Sequence, residues 1–274
     1  MGEPDLSTLL AATILVVKAA GALLDAEWSR VGGPRGTGGS ALIDVEIEEL
    51  LREKLLALFP TDFWGEETDR VLTGKRFCWV VDPNDGTSDF LNGLKGSAIS
   101  VGLLRDHVPV LGVVFAPVTE TLGPDCISWS EGMSSVQRNG IPVNRWLDGR
   151  RLTPDGRVMV SAAATGRPRV NAELCAPAQF IPMPSIAYRL ARVAAGDGVC
   201  AVSLFPVSAH DVVAGHALLR GARGILVDQS GLEIGYETRE KMTVVACRCF
   251  GGSASATDAL HRRDWRQLTG PHAN

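Results

Sequence analysis

The sequence predicts a mixed α/β fold with a β-sheet in each half of the chain, and three observations carry that prediction. The run Phe77–Val81 is continuously apolar and β-prone, as a strand buried on both faces is. Two turn signals, Asp106–His107 and Asn139–Gly140, separate strand-like runs in the first half. From about Arg157 short β-prone runs alternate with helical patterns. At 274 residues and 45% hydrophobic content, the chain can bury a sizeable core, as one large domain or two smaller ones.

Taken in order, the N-terminal stretch spaces Leu9, Leu10, Thr13, Val16, Val17, Ala20 and Leu24 as the buried stripe of an amphipathic helix. Its apolar run Leu9–Val17 is too short to span a bilayer, and acids stand where a secretory signal carries bases, so no membrane association and a cytoplasmic location are expected. The glycine-rich SRVGGPRGTGGS reads as a mobile loop ending at Ser40, a candidate N-cap. A second helix follows, with Ile43, Ile47, Leu50, Leu51, Leu55 and Leu58 as its buried face and Asp44, Glu46, Glu48 and Glu49 mostly as a solvated one. SAISVGLLRDHVPVLGVVFAP predicts two strands around its turn, and VQRNGIPV a hairpin. In the second half RVMVSA, AQFIPM, GILVD and MTVVAC read as strands; SIAYRLARVAAG, AHDVVAGHALLRGA and a segment near Ala254–Trp265 read as helices. The boundary is placed in NRWLDGRRLTPDG, giving an N-terminal α+β part over residues 1–150 and a C-terminal α/β part over 151–274.

Charge and cysteine usage exclude some classes. The 27 basic and 31 acidic side chains give a net charge of −4, which offers no broad positive surface to a nucleic-acid polymer. Six scattered cysteines with no CxxC pair read as reduced thiols.

The chemistry concentrates in FCWVVDPNDGTSDF. A buried strand that runs into Asp82-Pro83-Asn84-Asp85-Gly86-Thr87 places two carboxylates at its C-terminal end, where α/β proteins build sites. Pro83 keeps Asp82 extended, and Gly86 lets a ligand approach the backbone. If TSDFLNG opens a helix, its first N–H groups favour an anion, so acids and an anion cradle together imply a cation between them. A calcium loop would need a bidentate Glu where Gly93 stands. An aspartyl-phosphate mechanism would need its nucleophile where Pro83 stands. The remaining reading takes Asp82 and Asp85 as ligands of Mg2+ ions shared with a phosphate ester. Glu66 and Glu67 in FWGEETD, and Asp211 at the start of a predicted helix, are further acids, each unremarkable alone.

In combination, GEET, DPNDGT and HDVVAG, in that order, resemble the inositol monophosphatase superfamily of Mg2+-dependent, lithium-sensitive phosphomonoesterases, and the resemblance covers nearly the whole chain. It implies a layered αβαβα sandwich of the inositol monophosphatase and fructose-1,6-bisphosphatase type, with a large antiparallel sheet and a smaller mixed one. It also implies two or three Mg2+ per site. Glu66, Asp82 and the Asn84 carbonyl would hold the first, Asp82, Asp85 and Asp211 the second, and Glu66 with water a weaker third. Thr87 and Asp44 would position the attacking water, the Gly86 and Thr87 N–H groups would bind phosphate, and Glu67 would support the ligands from behind. A homodimer is the default expectation for such a chain.

Several positions depart from the pattern. Ala41 stands where the family has the Thr of V-T-x-A-D, and His210 where a Trp precedes the last metal aspartate; such a histidine is either packed and hydrogen-bonded or at the substrate mouth. Leu204 stands where inositol-specific members place an acid, and AGHALLR resembles the nucleotide-phosphatase branch more than the inositol one. The Gly32–Gly39 loop, with Arg35, is read as a lid that helps bind phosphate or the third ion, or as a plain connector. The expected function is a Mg2+-dependent phosphatase of a small sugar, sugar-bisphosphate or cyclitol phosphate. The alternatives are a 3′(2′),5′-bisphosphate nucleotidase and a silent phosphate-ligand-binding protein of the same fold.

Overall fold

The computed structural model describes residues 3–68 and 70–268. Helix α1 (Leu6–Trp28) leads to a small ribbon, β1 (Gly36–Thr37) and β2 (Ser40–Ala41), and to α2 (Leu42–Leu58). Then come β3 (Asp62–Trp64), β4 (Phe77–Asp85), α3 (Thr87–Leu91), β5 (Ala98–Arg105), β6 (Val108–Ala116), β7 (Asp125–Ser130), β8 (Gln137–Arg138) and β9 (Ile141–Pro142). The second half holds β10 (Arg157–Ser161), α4 (Pro168–Cys175), β11 (Gln179–Met183), α5 (Ile186–Ala194), β12 (Cys200–Ser203), α6 (Ala209–Gly221), β13 (Ile225–Asp228), α7 (Arg239–Thr243), β14 (Cys249–Gly252) and α8 (Ala254–His261).

A seven-stranded sheet runs β3-β4-β5-β6-β7-β8-β9, antiparallel except for β3 beside β4; a five-stranded mixed sheet runs β11-β10-β12-β14-β13. Helices α1 and α2 cover the outer face of the large sheet, α5 and α6 fill the space between the sheets, and α4 and α8 lie with the small sheet. The result is the αβαβα layering. It also explains the unbroken apolar run in β4: Phe77, Trp79 and Val81 enter the core with α1 and α2, while Cys78 and Val80 enter the core with α5 and α6. A strand with helices on both sides has no solvent face to mark with polar residues.

The predicted turns form for the expected reason. Asp106 and His107 have φ of 49° and 68°, and Asn139 and Gly140 have 52° and 81°, the left-handed pairs that tight hairpins need. Other expectations change. Ser40 is a strand residue, and Ala41 is the N-cap of α2, its backbone N–H donating to Asp44 Oδ2 at 3.1 Å. Within α2, Asp44 and Glu48 are buried and Leu58 is exposed. Helix α1 is 23 residues long and, with a mean hydropathy of 1.9, apolar enough in length and composition to cross a membrane, which the run Leu9–Val17 alone would not be. Here its Leu9, Leu10, Val17, Ala20 and Leu24 pack into the outer core. MTVVAC is not a strand: Thr238 caps α7 by accepting from Lys241 N, and Val245 and Ala246 instead pair with Val207 just ahead of α6. Cys247 is exposed and the other five cysteines are buried, all as free thiols.

Two glycines let α6 sit close to the large sheet. A Cβ at Gly102 would lie 2.6 Å from Val213 Cγ1, and one at Gly112 would lie 2.4 Å from the Ala214 carbonyl oxygen. Backbone cannot yield as a flexible side chain can, so Gly112→Ala should lose about 1–3 kcal/mol of stability in urea unfolding and displace the helix that begins beside Asp211.

Candidate active site

The DPNDGT residues belong to β4 itself rather than to a loop beyond it. The strand continues to Asp85 through an irregularity in which Asp82 opposes Ser100 while Asp85 opposes Ala98, three steps on one strand against two on the other. In a regular strand residues three apart face opposite sides; the extra residue of a bulge brings both carboxylates to one side. Asp82, Asp85 and Asp211 each present an oxygen, all within 4.8 Å of one another. Glu66, Asp82 and His210 form a second such group on the same Asp82.

Each acid is held by its own element. Asp85 Oδ2 accepts from Ser185 Oγ and Ala187 N, both at 2.6 Å, which ties it to the first turn of α5. Asp211, in the first turn of α6, accepts from Ser208 N through Oδ2. Its Oδ1 is turned towards His210, 3.8 Å from Nε2. The aspartate is thus a cap through one oxygen and a member of the cluster through the other. Asp82 Oδ1 accepts from Asn84 N at 2.9 Å. Gly86 caps α3 with φ of 96°, and a Cβ there would stand 3.0 Å from Ser185 N, so both conformation and space call for glycine.

Asp44 and Thr87 are brought together despite Ala41. Thr87 Oγ1 lies 3.1 Å from Asp44 Oδ2 and 2.8 Å from the Asn84 carbonyl, and Asn84 Nδ2 donates to Asp44 Oδ1 at 3.0 Å. Glu67 is exposed, and its backbone N–H is held by Glu48. Arg35 is not directed at the cluster: its Nε and Nη2 donate to the carboxylate of Glu27 near the end of α1, at 3.0 and 2.7 Å. Within the Gly32–Gly39 segment, Gly36 and Thr37 form β1 and turn at Gly38–Gly39 to pair with β2.

Three contributors escaped the sequence reading. Glu48 is fully buried, and its carboxylate accepts from the N–H groups of Glu66, Glu67 and Thr68 at 2.8, 3.0 and 2.7 Å. A Cβ on Gly65 would fall 2.0 Å from Glu48 Oε1, which explains the glycine ahead of the two glutamates. The available signal was spacing: Glu48 lies one turn after Asp44, on the face shared with Ile47 and Leu51. Ser185 and Arg189 were also missed. Arg189 is buried on α5 and donates to the Ser185 and Val202 carbonyls, bringing a positive charge towards Asp85 and Asp211.

The electrostatics show what the site can hold. Burial, then the charges of Glu66, Asp85 and Asp211, hold Asp82 well above the ordinary carboxylate range. Burial followed by Asp211 pushes Glu66 up to about 8 and Asp85 up to about 7, and burial pushes Asp211 up to about 6. Burial also raises Asp44, while its hydrogen bonds oppose the shift. Such a cluster is costly without a cation. The buried Asn84 Oδ1 and His210 Nδ1 also have no hydrogen-bond partner among the described residues. Oxygen donors on converging elements, with unbalanced charge, fit divalent ions. His210 is packed but not hydrogen-bonded at Nδ1: it is buried, its Nε2 faces Glu66 Oε1 at 3.9 Å, and burial followed by Arg70 lowers its pKa to about 4.

This fold and this site define a phosphatase architecture, and the comparisons agree. The sequence profile of the inositol monophosphatase family matches residues 5–268. The chain belongs to that family. It is 34% identical to an inositol-1-monophosphatase of Rhizobium meliloti (strain 1021) over 206 residues, 69% of this chain and 71% of that protein. It is 28% identical to the 3′(2′),5′-bisphosphate nucleotidase CysQ of Aggregatibacter actinomycetemcomitans over 212 residues, 72% of this chain and 74% of that one. The structure of an inositol monophosphatase from Anabaena (Nostoc) sp. PCC 7120 superposes with a TM-score of 0.71 at 23% identity, covering 98% of both chains.

Two outcomes follow. Carboxylates whose folded pKa is raised stabilise the fold most below their unfolded value, near pH 4, and that contribution fades as pH rises through the folded values of about 6 to 8. With divalent ions chelated, Tm should therefore fall between pH 5 and pH 8, and added Mg2+ should raise it more at pH 8 than at pH 5; thermal scans at both pH values check this. Glu48→Ala should cost at least about 2 kcal/mol by leaving buried N–H groups unpaired. It should also speed hydrogen exchange at Glu66, Glu67 and Thr68.

Proposed function

We propose that the protein is a Mg2+-dependent phosphatase of a small phosphate monoester, and the observation that carries this is the convergence of Glu66, Asp82, Asp85 and Asp211 beside the Asp44–Thr87 pair. Glu66, Asp82 and the Asn84 carbonyl would hold one ion, and Asp82, Asp85 and Asp211 another, consistent with each acid keeping an oxygen directed into the cluster. Bound divalent ions supply Lewis acidity: they lower the pKa of water and neutralise charge on the attacking and leaving oxygens. The chain's own residues do the positioning. Asp44, fixed by Ala41 N and Asn84 Nδ2, is placed to accept from Thr87 Oγ1, so the hydroxyl has a defined direction in which to orient a water. The N–H groups of Gly86 and Thr87, at a helix start without intrahelical acceptors, suit phosphate oxygens.

We infer that a cavity outside the acid cluster takes the alcohol half of the substrate. Leu204 lines a cavity of about 290 Å3 together with Val160, Val202, Phe205 and Trp265, with Ser161, Arg167 and Asn171 as its polar members. An apolar wall with aromatic rings suits an alcohol that carries an aromatic base better than a bare cyclitol, which has hydroxyls to pair all round. This favours a second reading, a 3′(2′),5′-bisphosphate nucleotidase, beside the sugar or cyclitol phosphatase. A small-molecule ester as substrate, with no polymer and no membrane, and a homodimer as the working assembly belong to the same proposal.

Phosphate release from a panel of sugar phosphates, inositol phosphates, histidinol phosphate and adenosine 3′,5′-bisphosphate should require Mg2+ and be inhibited by Li+. Silence on the whole panel with Mg2+ bound would turn the reading towards a binding protein. Asp82→Asn, which removes a charge shared between both groups of ligands, should lower turnover by at least about a hundredfold; near-normal activity would refute the mechanism.

A further inference from the structure

The four carboxylates account for an oxygen-ligated site, but they do not account for His210. This ring is more than nine-tenths buried at the start of α6, and its Nδ1 has no hydrogen-bond partner among the described residues. Its Nε2 points into the acidic cluster, 3.9 Å from Glu66 Oε1 and 3.8 Å from Asp211 Oδ1. Those distances are too long for hydrogen bonds, yet two ligand atoms each about 2.1 Å from a shared ion stand about 3 to 4 Å apart. The backbone at His210 is anchored, its carbonyl accepting from Ser100 Oγ on β5 at 3.2 Å, and the side chain is enclosed by packing.

We propose that Glu66, Asp82 and His210 form a mixed nitrogen and oxygen metal site, which takes a late first-row divalent ion such as Zn2+ or Co2+ in preference to Mg2+. The inference rests on the metal reading above and names the kind of ion at one of its positions. The chemistry is ligand softness: Mg2+ is hard, keeps water and takes oxygen donors, whereas an imidazole nitrogen adds affinity for Zn2+, Co2+ and Ni2+. Asp85 and Asp211, with oxygen donors alone, remain suited to Mg2+, so the two positions differ in the metal they favour.

The test is X-ray absorption on the intact protein loaded with one equivalent of Zn2+, together with competition measurements of Zn2+ and Mg2+ affinity. An imidazole outer-shell scattering pattern is expected, and it should vanish in His210→Phe. That variant should bind Zn2+ at least about tenfold more weakly, with Mg2+ affinity changed by less than about threefold. If His210→Phe does not fold, His210→Asn and the wild-type spectrum decide the question. Zn2+ in an oxygen-only shell, or Zn2+ affinity unchanged in the variants, would overturn the proposal while leaving Mg2+-dependent hydrolysis intact. Failure of any divalent ion to bind would overturn this inference and the metal reading together.

Discussion

The fold meets one expensive requirement: Asp82, Asp85 and Asp211 each hold an oxygen within 4.8 Å of the others, with Asp82 and Asp85 buried and Glu66 close by. Like charges in such a place repel strongly and resist ionisation, and the raised pKa values of Glu66, Asp82, Asp85 and Asp211 express that cost. No single element could hold such a group against its own repulsion. Asp82 and Asp85 come from a bulged strand, Asp211 from the first turn of α6, and Glu66 from a loop pinned by a buried glutamate.

The five layers supply the rigidity this needs. Helices α5 and α6 lie between the sheets, and both start at the cluster: α5 through Ser185 and Ala187, which hold Asp85, and α6 through Asp211. Glycines at 102 and 112 let α6 approach the strands more closely than any Cβ would permit. Away from the cluster, a charge clasp locks α5 to the large sheet. Asp125 on β7 accepts from Tyr188 Oη and from Arg138, which also reaches Asp197. Asp197 in turn accepts from Arg192 on α5.

The acid cluster and the apolar cavity are built by different parts of the chain. The acids and Thr87 sit on the most confined backbone, whereas the apolar cavity is lined by residues after β10 and β12 and by Trp265 near the C-terminal end of the described chain. A confined charge cluster tolerates little change, and loops that shape a cavity tolerate much. The relatives include a protein named for inositol phosphate at 34% identity and one named for a nucleotide bisphosphate at 28%.

The sequence by itself determined the strongest local signals. Phe77–Val81 announced a strand buried on both faces, the positive-φ turns announced two hairpins, and GEET, DPNDGT and HDVVAG contained the acids that the fold brings together, because each depends on residue type and near-neighbour spacing. Only the tertiary structure decided the rest. The bulge that puts Asp82 and Asp85 on one side depends on pairing with β5, and Glu48 became a clamp because Gly65 lies across from it. Arg35 was drawn to Glu27, a partner eight residues back, and His210 was turned towards acids that are distant in the chain. Such outcomes are set by which elements meet and how closely, and a one-dimensional pattern carries no record of those distances.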